Sequence, residues 1–184
     1  MDPAEDIVNL WLKQQDFFVM QGVKVGYRGK EIDFLAVNIK NDKRVHVEVH
    51  ASVHPLGPLR PWGPAKYGKL KIEDRVKFYY YDKFRGATEE GTGKLINNCI
   101  KEMVLEKFCG KRYEKWLILA QPHHKDDPEK VRQEFKKHGV EVFFLKEILE
   151  QIKLEGTARD QTGRLLQLLA SQLTNKAKKA LLGT

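Results

Sequence analysis

Two neighbouring stretches, Gly29-Lys30-Glu31-Ile32-Asp33-Phe34-Leu35-Ala36 and Val45-His46-Val47-Glu48-Val49-His50, decide how this chain is read. The second alternates strictly. In a β-strand successive side chains point to opposite faces, so Val45, Val47 and Val49 share one face. His46, Glu48 and His50 share the other. An all-valine face belongs against core helices, whereas three ionisable groups in a row suit a face that lines a cleft. Asn41-Asp42-Lys43-Arg44 supplies the turn residues of a hairpin between the two stretches. That hairpin brings Asp33 close to opposite Glu48. Asp33 sits amid apolar neighbours, where a carboxylate without a partner is costly. Two carboxylates at such a separation repel, and a hard cation relieves the repulsion. Mg²⁺ or Mn²⁺ suits an all-oxygen site, and neighbouring imidazoles tilt the choice toward Mn²⁺ or Zn²⁺.

Working outward, Pro3 with Glu5 and Asp6 behind it opens a helix, because proline suits the first turn and carboxylates suit the positive helix end. Ile7, Leu10 and Trp11 carry its apolar face to about Gln15. Phe17 to Val25 reads as a first strand, with Gly26 to Gly29 as a turn. Glu31 to Ile39 is the second strand and Val45 to Val53 the third. Pro55, Pro58, Pro61 and Pro64 recur every third residue, the repeat of a polyproline II segment. Helices follow around Ile72 to Phe84 and Lys94 to Phe108. Trp116 to Ala120 reads as a buried strand, Asp127 to His138 as a helix opened by Pro128 and ended by Gly139, and Val140 to Leu145 as a strand. This β-α-β alternation predicts parallel pairing. From Gly163 the spaced leucines Leu165, Leu166, Leu168, Leu169 and Leu173 predict a further amphipathic helix with a basic tail.

The 184 residues suffice for one compact α/β unit with an appendage, over 1–155 and 156–184. Lys and Arg outnumber Asp and Glu, 33 to 25, for a formal charge of +8. Such an excess favours polyanions, nucleic acid before an anionic membrane surface. Hydrophobic residues at 41% and charged residues at 32% exclude a disordered chain. Apolar runs are far shorter than a membrane span, and the N-terminus shows no signal region, so a cytoplasmic location is expected. Cys99 and Cys109 form neither a CxxC pair nor a disulfide framework and read as small thiols in a reducing compartment.

The segments GKEIDFLAV and VHVEVHAS resemble the PD-(D/E)XK nuclease superfamily, most closely its Holliday-junction-resolvase and restriction-endonuclease-like branches. The resemblance implies a restriction-endonuclease-like αβββαβ core, a central mixed sheet flanked by helices, over roughly residues 4 to 145. It implies a Mg²⁺ or Mn²⁺ site held by Asp33 and Glu48, with Glu5 (or Asp6) of the first helix and the Val49 carbonyl as further ligands. It also implies DNA, branched or double-stranded, as the substrate of phosphodiester hydrolysis. One position departs from the pattern: His50 stands where the superfamily has its lysine. A neutral histidine accepts a proton or orients water, so His50 either takes over part of that role or marks a member without cleavage. Lys30, Lys66 and Lys69 are alternative sources of the lysine and, with Arg28, the candidate phosphate contacts.

Three other readings stay open on the sequence. His46, Glu48 and His50, with His54 and Asp33, could hold a transition metal. For His46 alone the simpler expectation is a solvent-facing or hydrogen-bonded histidine. Tyr79-Tyr80-Tyr81 could stack on bases, although three successive helical positions cannot share one face and core packing suits at least one of them. His123-His124 reads as part of a surface loop. A non-cleaving DNA- or RNA-binding module and a protein–protein adaptor are the competing function classes, and a two-fold homodimer is compatible with either a nuclease or an adaptor.

Overall fold

The computed structural model describes residues 3–25, 31–51, 71–80, 83–84, 94–110, 112–122 and 126–152. Outside them lie Arg28, Lys30, the proline repeat at 55–64, His54, Lys66, Lys69, Tyr81, His123, His124 and the 156–184 segment, as does the side chain of Cys99.

The first helix, α1 (Pro3–Gln14), buries Ile7, Val8, Trp11 and Leu12 along one stripe. Strands β1 (Phe17–Lys24), β2 (Glu31–Asn38) and β3 (Arg44–His50) follow as an antiparallel meander. Helices α2 (Ile72–Tyr80) and α3 (Lys94–Cys109) lead to β4 (Glu114–Leu119), which pairs parallel with β3. Helix α4 (Pro128–Lys136) then leads to β5 (Val140–Phe144), parallel to β4. The result is a five-stranded mixed sheet in the order β1-β2-β3-β4-β5. The expected α/β class and the parallel β4–β5 pairing are both present. Among the described residues no helix is long and apolar enough to cross a membrane.

Helix α4 starts where the sequence indicates. The Asp127 side chain accepts from the Glu129 amide, and Pro128 occupies a position where its missing N–H costs nothing. Gly139, at a φ of 69°, makes the left-handed turn after it. The last strand is one residue shorter than expected, because Leu145 opens a further helix, α5 (Leu145–Gln151). Leu145, Ile148, Leu149 and Ile152 are buried at the i, i+3, i+4, i+7 spacing of a helix that covers a core.

The two sheet faces differ. On one, α1 and α5 pack over Phe34, Ala36, Val45, Val47, Trp116 and Ile118 in a single apolar cluster. Trp11 rings against Trp116 and Phe143 lock α1 onto the sheet, and the Trp11 indole donates to Gln151 of α5 at 3.0 Å. The opposite face carries two clusters. Residues of α2 and α4 cover Leu117, Leu119, Val140, Val142 and Phe144. Leu105 and Cys109 of α3 cover Ile32 and Leu35. His46 is paired with Leu35, which belongs to the second of these clusters, and Glu48 with Leu117, which belongs to the first. The polar row of β3 therefore runs along the seam between two apolar clusters.

Candidate active site

The β2–β3 ladder runs through Leu35↔His46 to Phe34↔Val47 and ends there, one residue short of Asp33 on β2 and of Glu48 on β3. Here the Asp33 side chain takes the place of a ladder partner: Oδ2 accepts the Val49 amide at 2.6 Å. On its other side the β1–β2 ladder pairs Gln21↔Phe34 and Val23↔Ile32 but skips Gly22 and Asp33. Gly22 has a φ of 63°, a conformation open to a residue without Cβ. The chain thus departs from regular sheet on both sides of Asp33.

Glu48 is 2% exposed, and its partners among the described residues come from three parts of the chain. His46 on the same strand meets Oε1 through Nε2 at 2.7 Å. Lys101 of α3 donates to the same oxygen at 2.5 Å and to the Lys83 carbonyl at 2.6 Å. The Lys83 ammonium lies 3.8 Å from Oε2. At the end of β3, Nε2 of His50 meets the Tyr79 hydroxyl at 2.9 Å, with the two rings edge to face.

These contacts fix the charges. Burial pushes Asp33 up from 3.8 to about 7; the Glu48 charge adds to the rise and Glu5 contributes, against the Val49 N–H and the Lys83 ammonium. Burial would raise Glu48 as well, but the His46 hydrogen bond and the Lys101 ammonium outweigh it and hold the carboxyl below its ordinary value. Burial lowers His46 despite the neighbouring carboxylate, so the ring is neutral. A neutral imidazole facing an ionised carboxylate donates from Nε2.

A comparison with protein-family models finds no match, and comparisons with curated proteins and with solved structures find none either. The reading of this site therefore rests on its own residues.

Of the sequence candidates, Asp33, Glu48 and His50 lie on adjacent strands at one end of the β2–β3 pair. Glu5 acts on Asp33 through its charge, while its Oε2 accepts from Gln21 at 3.1 Å, and Gln21 in turn accepts from Asn9. Among the described residues no three His, Cys, Asp or Glu side chains are grouped so as to enclose a metal unaided. His46 is wholly buried and hydrogen-bonded rather than solvent-facing. Tyr79 is buried, as core packing predicts, although its hydroxyl reaches His50.

Lys101 is the residue that sequence reasoning missed. Its signal lay in helical spacing: Lys101, Leu105 and Cys109 follow one another every four residues, and the last two are buried. A lysine on an apolar stripe needs a carboxylate beneath it. A separate groove along the outer edge of β5, lined by Arg132, Gln133, Lys136 and Glu147 among others, includes none of Asp33, Glu48, His50 or Lys101.

Proposed function

We propose that this protein is a divalent-metal-dependent phosphodiesterase acting on DNA, built as a PD-(D/E)XK-like nuclease with His50 at the motif lysine's position and a lysine of α3 paired with the β3 glutamate. One observation carries the reading: two carboxylates just past the end of the β2–β3 ladder, near enough for the Glu48 charge to act on Asp33, with the Lys101 ammonium seated on Glu48. The order of elements from α1 to β5 accommodates an αβββαβ core. The +8 charge supports a polyanionic substrate through sequence-independent attraction to phosphates.

The donor set fits a hard cation. Asp33 ionises with difficulty because the charge is buried beside another, and a positive ion there removes that difficulty. Oε1 of Glu48 carries both His46 and Lys101, whereas Oε2 has, among the described residues, only the Lys83 ammonium at 3.8 Å. Asp33 and Glu48 would hold Mg²⁺ or Mn²⁺, and the ion would polarise the scissile phosphate and lower the pKa of bound water. Lys101 keeps Glu48 anionic and brings a cation beside the developing phosphate charge. His50, its ring oriented by Tyr79, takes the water-orienting place of the superfamily lysine on β3.

A second reading has its own support: the Glu48 charge is already balanced within the protein by Lys101 and the nearby Lys83. A DNA-binding module of the same architecture without cleavage would look like this too. Purified protein incubated with Mg²⁺ or Mn²⁺ and with duplex, single-stranded and branched DNA separates the two. The nuclease reading expects cleavage that Asp33→Asn and Glu48→Gln abolish. Metal-independent binding without cleavage, unaltered by Asp33→Asn, would favour the binding module.

A further inference from the structure

The two oxygens of Glu48 are treated unequally. Oε1 receives Nε2 of His46 at 2.7 Å and the Lys101 ammonium at 2.5 Å, while Oε2 lies 3.8 Å from the Lys83 ammonium, beyond hydrogen-bond reach. His46 has no exposure and is held edge-on by Phe84, with ring centroids 5.1 Å apart, and flanked by Tyr113. Its Nδ1 is buried with no hydrogen-bond partner among the described residues. An unpaired buried nitrogen is a cost that an apolar side chain would avoid, and the position beside His46 on β2, Leu35, is apolar, while Lys115 stands beside it on β4. What the imidazole provides in return is one fixed N–H aimed at one carboxylate oxygen.

We infer that His46 is a positioning residue: its Nε2–H fixes Oε1 of Glu48 so that Oε2 is the oxygen offered to a divalent cation. The inference rests on the proposed metal site and assigns a role to a residue that reading leaves unused. A carboxylate held by a single long lysine can turn about its terminal bond. The stiff ring on the same strand, two residues away, removes that freedom, and a carboxylate fixed before the ion arrives loses less entropy on binding it.

The two amide variants separate position from polarity. The glutamine amide reaches the place of Nε2, whereas the asparagine amide stops short near that of Nδ1. Mn²⁺ binding to the DNA-free protein, followed by calorimetry at neutral pH, is the primary readout, with thermal unfolding confirming that each variant is folded. His46→Gln is expected to bind Mn²⁺ within about threefold of wild type, and His46→Asn roughly 10- to 100-fold more weakly, the range for partners that orient a ligand. If the glutamine and asparagine variants match each other, whether both are unchanged or both weakened alike, His46 does not act by position and the inference fails while the metal site stands. If the wild type takes up no Mn²⁺, the metal reading and the inference fall together.

Discussion

Replacing Asp33 with asparagine should make the protein more stable at alkaline pH while removing its proposed activity. The folded chain raises the Asp33 carboxyl from 3.8 to about 7, chiefly by burial and then by the Glu48 charge. Above about pH 7 the side chain is ionised in both folded and unfolded states, so the folded state bears the whole penalty. As the pH falls through 7 toward 4 the folded state takes up its proton first and the penalty is relieved. At about 1.4 kcal/mol for each tenfold change in proton affinity, the rise sets a ceiling on the order of 4 kcal/mol. Asparagine carries no charge, and its carbonyl can still accept the Val49 amide. The new amide hydrogens need partners, and a neutral acceptor bonds more weakly than a carboxylate, so a net gain of about 2 kcal/mol is expected at pH 8. For a chain of this size that is roughly 4–8 °C in Tm. Urea and thermal unfolding of both proteins at pH 8 and pH 4.5 give the answer. A gain at pH 8 that shrinks to nothing at pH 4.5 agrees with a strained carboxylate. No gain at pH 8, or an equal gain at both values, would refute the reasoning.

Two further substitutions probe other parts of the structure. Lys101→Met leaves Glu48 buried without its closest cation and is expected to lose about 3 kcal/mol in urea unfolding at neutral pH, along with DNA cleavage; wild-type stability would remove Lys101 from the site. Ile148→Ala, in the cluster on the opposite face of the sheet, should lose roughly 2–5 kcal/mol while the folded fraction keeps its Mn²⁺ affinity, measured by calorimetry below the melting range.

The nearness of Asp33 and Glu48 at one end of the β2–β3 pair was legible because it depends on short-range features. Strand alternation sets the face, and a hairpin closed by Asn41 to Arg44 sets the register. The α4 boundaries were equally local, since Asp127, Pro128 and Gly139 act within a turn of the helix ends. Lys101 lies 53 residues from Glu48 in sequence, and only the packing of α3 on β2 and β3 unites them. Its place on the stripe with Leu105 and Cys109 was the available cue. The hydrogen bond of His46 was within expectation, but its full burial was not legible, for a related reason. Alternation assigned its face correctly but says nothing of what covers that face, and Phe84 and Tyr113 come from distant segments. Helix α5 was hidden by continuity, because Val140 to Leu145 is an unbroken β-like run and the chain turns helical inside it. The tie from Glu5 through Gln21 to Asn9 joins α1 to β1 by polar side chains that carry no periodic signal.

Anomalous diffraction from a crystal equilibrated with Mn²⁺ would locate a divalent cation between Asp33 and Glu48 without recourse to activity. A manganese peak is expected within coordination distance of an Asp33 oxygen and Oε2 of Glu48, with Lys101 still on Oε1. A peak coordinated by the imidazoles of His46 or His50, or none near either carboxylate at millimolar Mn²⁺, would contradict the proposed site.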